Sequence, residues 1–150
     1  MKNIENKLLE ILLEENSKED LIRKILDLNN PIKDDNIGPA GGIVFMKHDD
    51  GTLVECWTQD EPNLMTWDEA RERVQTLNYG GSNDWSLPTK NESDKMFDNK
   101  NKIGKFQHDY YWSDTEYDES RARFQYFSTG NQSNLSKNLS LRVRAIRRSK

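Results

Sequence analysis

The sequence of 150 residues has little cysteine and histidine and no long apolar run. Its single cysteine, Cys56, excludes an intrachain disulfide framework and a zinc site built from several cysteines. No apolar run approaches the roughly 18 residues that span a bilayer, so we expect no membrane-spanning segment. The first 15 residues contain four glutamates and do not look like a signal peptide, which predicts a location in the cytoplasm or in a phage particle.

Apolar residues are also scarce, at 33% of the chain, which is close to the range in which chains stay disordered. Against this, the net charge is only -4 and 9% of the residues are aromatic. Large aromatic side chains bury much area per residue, so a modest core weighted toward aromatic residues is expected. The length predicts one main domain with a small additional segment.

The amino-acid composition of the chain changes near residue 37. Residues 1–36 contain no aromatic residue but eleven leucines and isoleucines besides Ile32. Their spacing predicts a helical hairpin, with one helix on either side of Asn16-Ser17. Two short helices cannot bury this much aliphatic surface between themselves, so residues 1–36 are expected to pack on the main domain, on a second copy of the chain or on another protein. A homo-oligomer formed through this segment is one of these alternatives.

Residues 37–150 show the signals of an α+β domain with an antiparallel sheet. Asp50-Gly51 between two apolar runs predicts a β-hairpin. Two capping boxes, Thr66 with Glu69 and Thr89 with Glu92, predict the starts of two helices, the first ending near Tyr79-Gly80-Gly81. Later runs with strand character cover residues 110–113, 121–127 and 140–146.

Two features of the C-terminal third concern binding. In the run 121–127, Ala122, Phe124 and Tyr126 alternate with Arg121, Arg123 and Gln125, which predicts that the second set faces outward. Residues 119–150 contain eight basic residues and one acidic residue. These cations either pair with the acidic middle of the chain or form an anion-binding strip.

An ordered set of motifs then identifies a family. The set comprises Gly38-Pro39-Ala40-Gly41-Gly42, Thr66-Trp67-Asp68-Glu69-Ala70, Asp84-Trp85-Ser86-Leu87-Pro88-Thr89, Tyr111-Trp112-Ser113-Asp114-Thr115-Glu116 and Val143-Arg144-Ala145-Ile146-Arg147. Over about residues 37–148 this set resembles the bacterial family typified by the C-terminal domain of the Legionella collagen-like adhesin. Ser93 and Asp114 depart from the family pattern, which usually has an aliphatic residue and a serine there. Trp85 and Trp112 are also large enough to be core residues, so we interpret the signature mainly as a folding signature.

The resemblance implies a C-type-lectin-like fold, related to the formylglycine-generating enzyme superfamily and to retroelement-diversified receptor proteins. The predicted architecture is therefore a C-type-lectin-like antiparallel sheet with two helices, preceded by the N-terminal helical hairpin. The related oxidases need a cysteine pair for copper, and this chain has one cysteine, so no enzyme activity is expected. Cys56 with His48 could be drawn as a nucleophile and base, but an inert buried thiol is the favoured interpretation.

No metal or cofactor is expected either. Glu61-Pro62-Asn63 matches the tripeptide with which mannose-type lectins hold calcium, but it precedes the first predicted helix, which is the wrong order. Asn83-Asp84 belongs to a structural turn. His108 beside Asp109 lacks a partner at metal-ligand spacing.

The most plausible binding surface lies between residues 107 and 138, which are rich in tyrosine, serine, asparagine and arginine, the types common in adaptable binding surfaces. The predicted ligand-binding residues are Tyr110, Tyr117, Arg121, Arg123 and Asn131. We interpret the protein as a non-catalytic binding module of adhesin or receptor type for a glycan, a polyanion or a protein ligand. A variable receptor-binding protein of a retroelement or phage is the alternative, an enzyme is less favoured, and nucleic acid is not expected as a ligand.

Overall fold

A computed structural model describes residues 36–149, and these form one compact unit. The helical hairpin predicted for residues 1–36 lies outside the described residues, apart from Asn36. None of the helices described within residues 36–149 is long and apolar enough to cross a membrane.

The described part contains seven strands and three helices. In chain order they are β1 (Ile43–Lys47), β2 (Leu53–Cys56), α1 (Trp67–Gln75), β3 (Trp85–Ser86), α2 (Lys90–Asp98), α3 (Lys100–Ile103), β4 (Tyr110–Glu116), β5 (Arg121–Tyr126), β6 (Gln132–Ser136) and β7 (Ile146–Ser149).

The strands form two antiparallel sheets. The first has the order β1-β2-β7-β3, so the last strand of the chain is inserted between β2 and β3. The second sheet is the meander β4-β5-β6. The α+β class with antiparallel sheets is therefore confirmed, whereas the C-type-lectin-like arrangement stays a prediction.

Both predicted helix starts are confirmed. The hydroxyls of Thr66 and Thr89 accept from the amides of Glu69 and Glu92, and each glutamate accepts from the amide of its threonine. The end predicted for α1 is wrong: the helix stops at Gln75, and the Thr76 hydroxyl donates to the carbonyl of residue 73. The glycines at 80 and 81 instead form a separate turn with positive φ angles.

The strand predictions need three corrections. Strand β6 was not predicted, because its sequence Gln-Ser-Asn-Leu-Ser has one apolar residue and no alternation. The run 140–146 is mostly extended chain held by isolated bridges, and β7 begins only at Ile146. Gln125 does not face outward but is fully buried, because α2 packs over this side of β5. Its Nε2 donates to the Gly130 carbonyl at 2.8 Å.

The core consists of two apolar clusters, and the signature tryptophans belong to the first. Trp85 and Trp112 are buried there together with residues from α1 and β5. The Trp112 indole N–H donates to the Met65 carbonyl at 2.9 Å, and the Trp85 indole N–H donates to the carbonyls of Tyr79 and Ser82. The interpretation of these motifs as folding signatures is thus consistent with their burial.

The glycine-rich motif at residues 38–42 encloses a buried carboxylate. Glu55 accepts from the amides of Ala40 at 3.1 Å and Gly42 at 2.9 Å, and Arg147 Nη1 lies 3.3 Å away. A Cβ on Gly42 would lie 2.7 Å from the backbone carbonyl oxygen of Cys56, so the close approach of β2 requires glycine at that position. The motif therefore provides the hydrogen bonds that a buried carboxylate requires.

Candidate functional site

The turn between β4 and β5 brings together three of the five predicted ligand-binding residues. The guanidinium carbons of Arg121 and Arg123 lie 4.7 and 5.0 Å from the centre of the Tyr117 ring. Tyr117 keeps 47% of its surface exposed. The group combines an accessible aromatic ring with two cations, and we call these three residues the hairpin patch.

The two arginines of the hairpin patch differ in their partners. Both Nε and Nη2 of Arg121 donate to Asp118 Oδ2, at 2.9 and 2.7 Å. These hydrogen bonds lower the pKa of Asp118 to about 2. Arg123 has no carboxylate within 4 Å among residues 36–149, so its charge remains available to a ligand.

Acidic residues near the hairpin patch are largely neutralised by cations. Asp114 pairs with Arg71 at 3.0 Å, and Glu116 pairs with Lys137 at 2.6 Å. Together with the Asp118 pair, these contacts remove most of the negative charge that would repel an anion at this end of the sheet.

The other two predicted residues lie at the opposite end of the same sheet. The Tyr110 ring packs at 4.6 Å from Phe124 and 4.7 Å from Tyr126. The Asn131 carbonyl accepts from the Tyr126 amide at 2.8 Å, so Asn131 belongs to the turn that follows β5. Because a strand rises about 3.3 Å per residue, roughly 10 Å of β5 separates Tyr126, which contacts both residues of this pair, from Arg123, the nearer arginine of the hairpin patch. The five residues therefore form two groups.

The C-terminal arginines pair with the acidic middle of the chain, as one of the two alternatives predicted. The pairs are Arg142 with Asp109, Arg144 with Asp60, Arg147 with Glu55 and Asp84, and Arg148 with Glu92. These arginines do not form an unpaired anion-binding strip. Burial of Glu92 opposes ionisation of its carboxyl. Hydrogen bonds, led by those from Arg148, outweigh this effect and lower the pKa of Glu92.

Arg144 is the most deeply placed of these cations, with 1% of its surface exposed. It donates to Asp60 at 2.7 Å and to the carbonyls of Trp57, Gly104 and Lys105 at 3.0, 3.1 and 2.9 Å. A buried guanidinium with this many acceptors fixes the surrounding backbone. Arg144 thus has a structural role at the start of the loop that leads to β4.

Cys56 and His48 are not neighbours. Cys56 pairs with Ile43 at the start of β1, whereas His48 follows the end of β1 in an exposed turn. Burial raises the pKa of the Cys56 thiol to about 12, which disfavours the reactive thiolate. The structure therefore does not bring this nucleophile and base together.

Glu61 of the lectin-like tripeptide already has partners. Its buried carboxylate accepts from Arg73 Nε at 3.0 Å and from the Tyr79 hydroxyl at 2.8 Å. Burial, followed by this hydrogen bond, raises the pKa of Tyr79 to about 12. No group of three or more histidine, cysteine, aspartate or glutamate side chains within residues 36–149 is arranged to hold a metal ion.

These features define a small antiparallel α+β domain whose buried charges are paired and whose hairpin patch exposes an aromatic ring beside an arginine. Comparison with protein families matches residues 46–147 to the Lcl C-terminal domain. The chain therefore belongs to the Lcl C-terminal domain family, and the resemblance found in the motifs is confirmed. Membership of this family is consistent with an adhesin-like module. No curated protein matches the chain at a significant level.

Proposed function

We propose that this domain is a non-catalytic, adhesin-type binding module that contacts a glycan carrying anionic groups through the hairpin patch. The observation that supports this proposal is Arg123, an arginine without a carboxylate partner in residues 36–149, beside the exposed ring of Tyr117. A guanidinium holds sulfate or carboxylate groups with two parallel hydrogen bonds, and an exposed aromatic ring packs against a sugar face.

The charge distribution supports the same placement. Asp114, Glu116 and Asp118 around the patch have cationic partners, which reduces the repulsion that a negative ligand meets there. Because the contact is exposed, its electrostatic part is screened within about 10 Å at 0.1 M salt, and binding should weaken as the salt concentration rises.

The test compares a charge-reversed variant with the parent chain on immobilised heparin and on an array of neutral and sulfated glycans. Arg121→Glu combined with Arg123→Glu should leave the fold intact and elute from heparin at lower salt than the parent. Lys47→Glu combined with Lys95→Glu is the matched control, because both are exposed lysines outside the patch and the two changes alter the net charge by the same amount.

Two results would contradict the proposal. One is that the double variant binds heparin as the parent does, and the other is that the parent binds no glycan at any salt concentration. In the second case, a protein ligand recognised by the same patch becomes the leading alternative.

A further inference from the structure

A second group of cations lines a cleft at the loop between α3 and β4, away from the hairpin patch in sequence. The cleft has a volume of about 290 Å³. Its polar lining comes from Lys100, Asn101, Lys105 and His108, and its apolar lining comes from Phe106 and Phe127. No aspartate or glutamate among the described residues lines this cleft.

The cations of this cleft lack the partners that most other cations of the domain have. Of the eight arginines in residues 36–149, seven pair with a carboxylate, and Lys137 does so as well. Lys105 and His108 have no carboxylate within 4 Å in this part of the chain. The Lys100 ammonium lies 4.3 Å from the centre of the Phe97 ring. The cleft therefore places two lysines without a carboxylate partner in residues 36–149 on one concave surface, and no acidic residue described there lines it.

The backbone beneath the cleft is held in an unusual conformation. Lys105 has a φ angle of 63°, the only positive φ angle of a non-glycine residue within residues 36–149. The buried Arg144 holds the Lys105 carbonyl at 2.9 Å and the Gly104 carbonyl at 3.1 Å. Strained backbone persists only where the surrounding structure enforces it, and it is concentrated at ligand sites. The loop therefore presents the Lys105 side chain from a fixed backbone.

The lining also indicates which ligand chemistry fits. Phe127 stacks on the Phe106 ring at 4.3 Å, and the Arg144 guanidinium lies 4.1 Å from the centre of the same ring. These contacts leave little of the Phe106 ring for a flat ligand to stack on. Recognition must then come from the lysine ammonium groups, which act as compact point charges. Two such charges match a dianion better than they match a single carboxylate.

We propose that this cleft binds a phosphate dianion, carried by a phosphomonoester, between Lys100 and Lys105, with Asn101 and His108 as further polar contacts. A phosphomonoester carries a charge of about -1.5 to -2 at pH 7 and has three acceptor oxygens, and lysine is a common ligand of such groups. The cleft is separate from the hairpin patch, so this inference does not depend on the proposed glycan site.

The test is calorimetric titration of the full chain at low salt with inorganic phosphate, glycerol phosphate and acetate. We expect both phosphates to bind more tightly than acetate, because acetate carries a single negative charge, and we expect amide NMR shifts confined to residues 100–108. Lys100→Gln and Lys105→Asn should each weaken phosphate binding about tenfold, the effect of losing one charge-assisted hydrogen bond. Asparagine is chosen at position 105 because it tolerates a positive φ angle.

Matched controls distinguish specific phosphate binding in the cleft from nonspecific attraction to positive charge. Lys102→Gln removes a lysine of the same short helix that does not line the cleft, and it should change phosphate binding less than twofold. Lys47→Gln, which removes an exposed lysine of β1 outside both the cleft and the hairpin patch, should bind phosphate as the parent does.

The proposal is overturned if the parent binds no phosphate, if acetate binds as tightly as phosphate, or if Lys102→Gln weakens binding as much as Lys105→Asn. It is also overturned if folded Lys100→Gln and Lys105→Asn, verified by near-UV circular dichroism, both bind like the parent. Each of these results leaves the heparin experiment on the hairpin patch unaffected.

Discussion

Replacing Trp112 with alanine should remove a large part of the stability of this domain. Trp112 is fully buried in the first apolar cluster and lies opposite Phe124 in the β4–β5 register. Truncating a buried tryptophan to alanine costs about 3–5 kcal/mol, because contacts are lost and a cavity remains. Domains of this size have a total stability of about 5–15 kcal/mol, so this one change consumes much of it.

The hydrogen bond of Trp112 should contribute less than its packing. The Met65 carbonyl that accepts from the indole also accepts from the Leu141 amide at 2.9 Å, so it keeps a partner after the substitution. Loss of the indole bond alone should therefore cost about 1 kcal/mol. Trp112→Phe, which retains an aromatic ring but no donor, should lose about 1–2 kcal/mol in total.

Urea unfolding of the full chain, followed by circular dichroism, measures both variants. Tyr117→Ala is the control, since it removes an aromatic side chain that is largely exposed, and it should change the free energy of unfolding by less than about 1 kcal/mol. If Trp112→Ala also changes it by less than about 1 kcal/mol, the placement of Trp112 in the core is wrong. If Trp112→Phe costs as much as Trp112→Ala, the hydrogen bond rather than the packing dominates.

Three further predictions concern acid, calcium and association. Arg121 lowers the pKa of Asp118 to about 2, below the unfolded value of about 3.9. The pair therefore stabilises the hairpin above pH 4, and this stabilisation is lost as the pH falls toward 2. An NMR titration of the Asp118 carboxyl with a midpoint near 4 would exclude this effect. Because the Glu61 carboxylate is held by Arg73 and Tyr79, thermal melts in calcium and in chelator should coincide, and a calcium-dependent rise in melting temperature would refute this. If residues 1–36 mediate association, light scattering should show a larger particle for the full chain than for a monomeric chain starting at Ile37, and identical monomeric masses would contradict that role.

Local signals in the sequence predicted local structure well. Both capping boxes lie within four residues of chain and were found from the sequence, since each needs only a threonine and a glutamate at a fixed spacing. The end of α1 was not found, because the glycines that suggested it form a later turn. The burial of Gln125 was also not predicted, because it depends on α2, a helix from a distant part of the sequence that packs over β5.

Strand β6 and the charge pairs show a second limit. A polar strand such as β6 forms because β5 offers it a complete set of backbone partners, and this information is absent from its own residues. The excess of basic residues after position 119 was visible, but which of them have acidic partners 33 to 92 positions away was not. For the same reason the cleft at residues 100–108 gave no signal, since its polar and aromatic lining comes together only in the folded chain.

The insertion of β7 between β2 and β3 also determines when this domain can fold during synthesis. Strand β7 pairs Ile146 with Cys56 on one side and with Ser86 on the other. The chain through β7 must therefore leave the ribosome before the first sheet can close, and until then β2 and β3 have open edges. Such late, non-local pairing slows folding and exposes strand edges to other nascent chains. Deletion of Ile146–Ser149 would remove an interior strand of this sheet and leave β2 and β3 without the strand that both pair with.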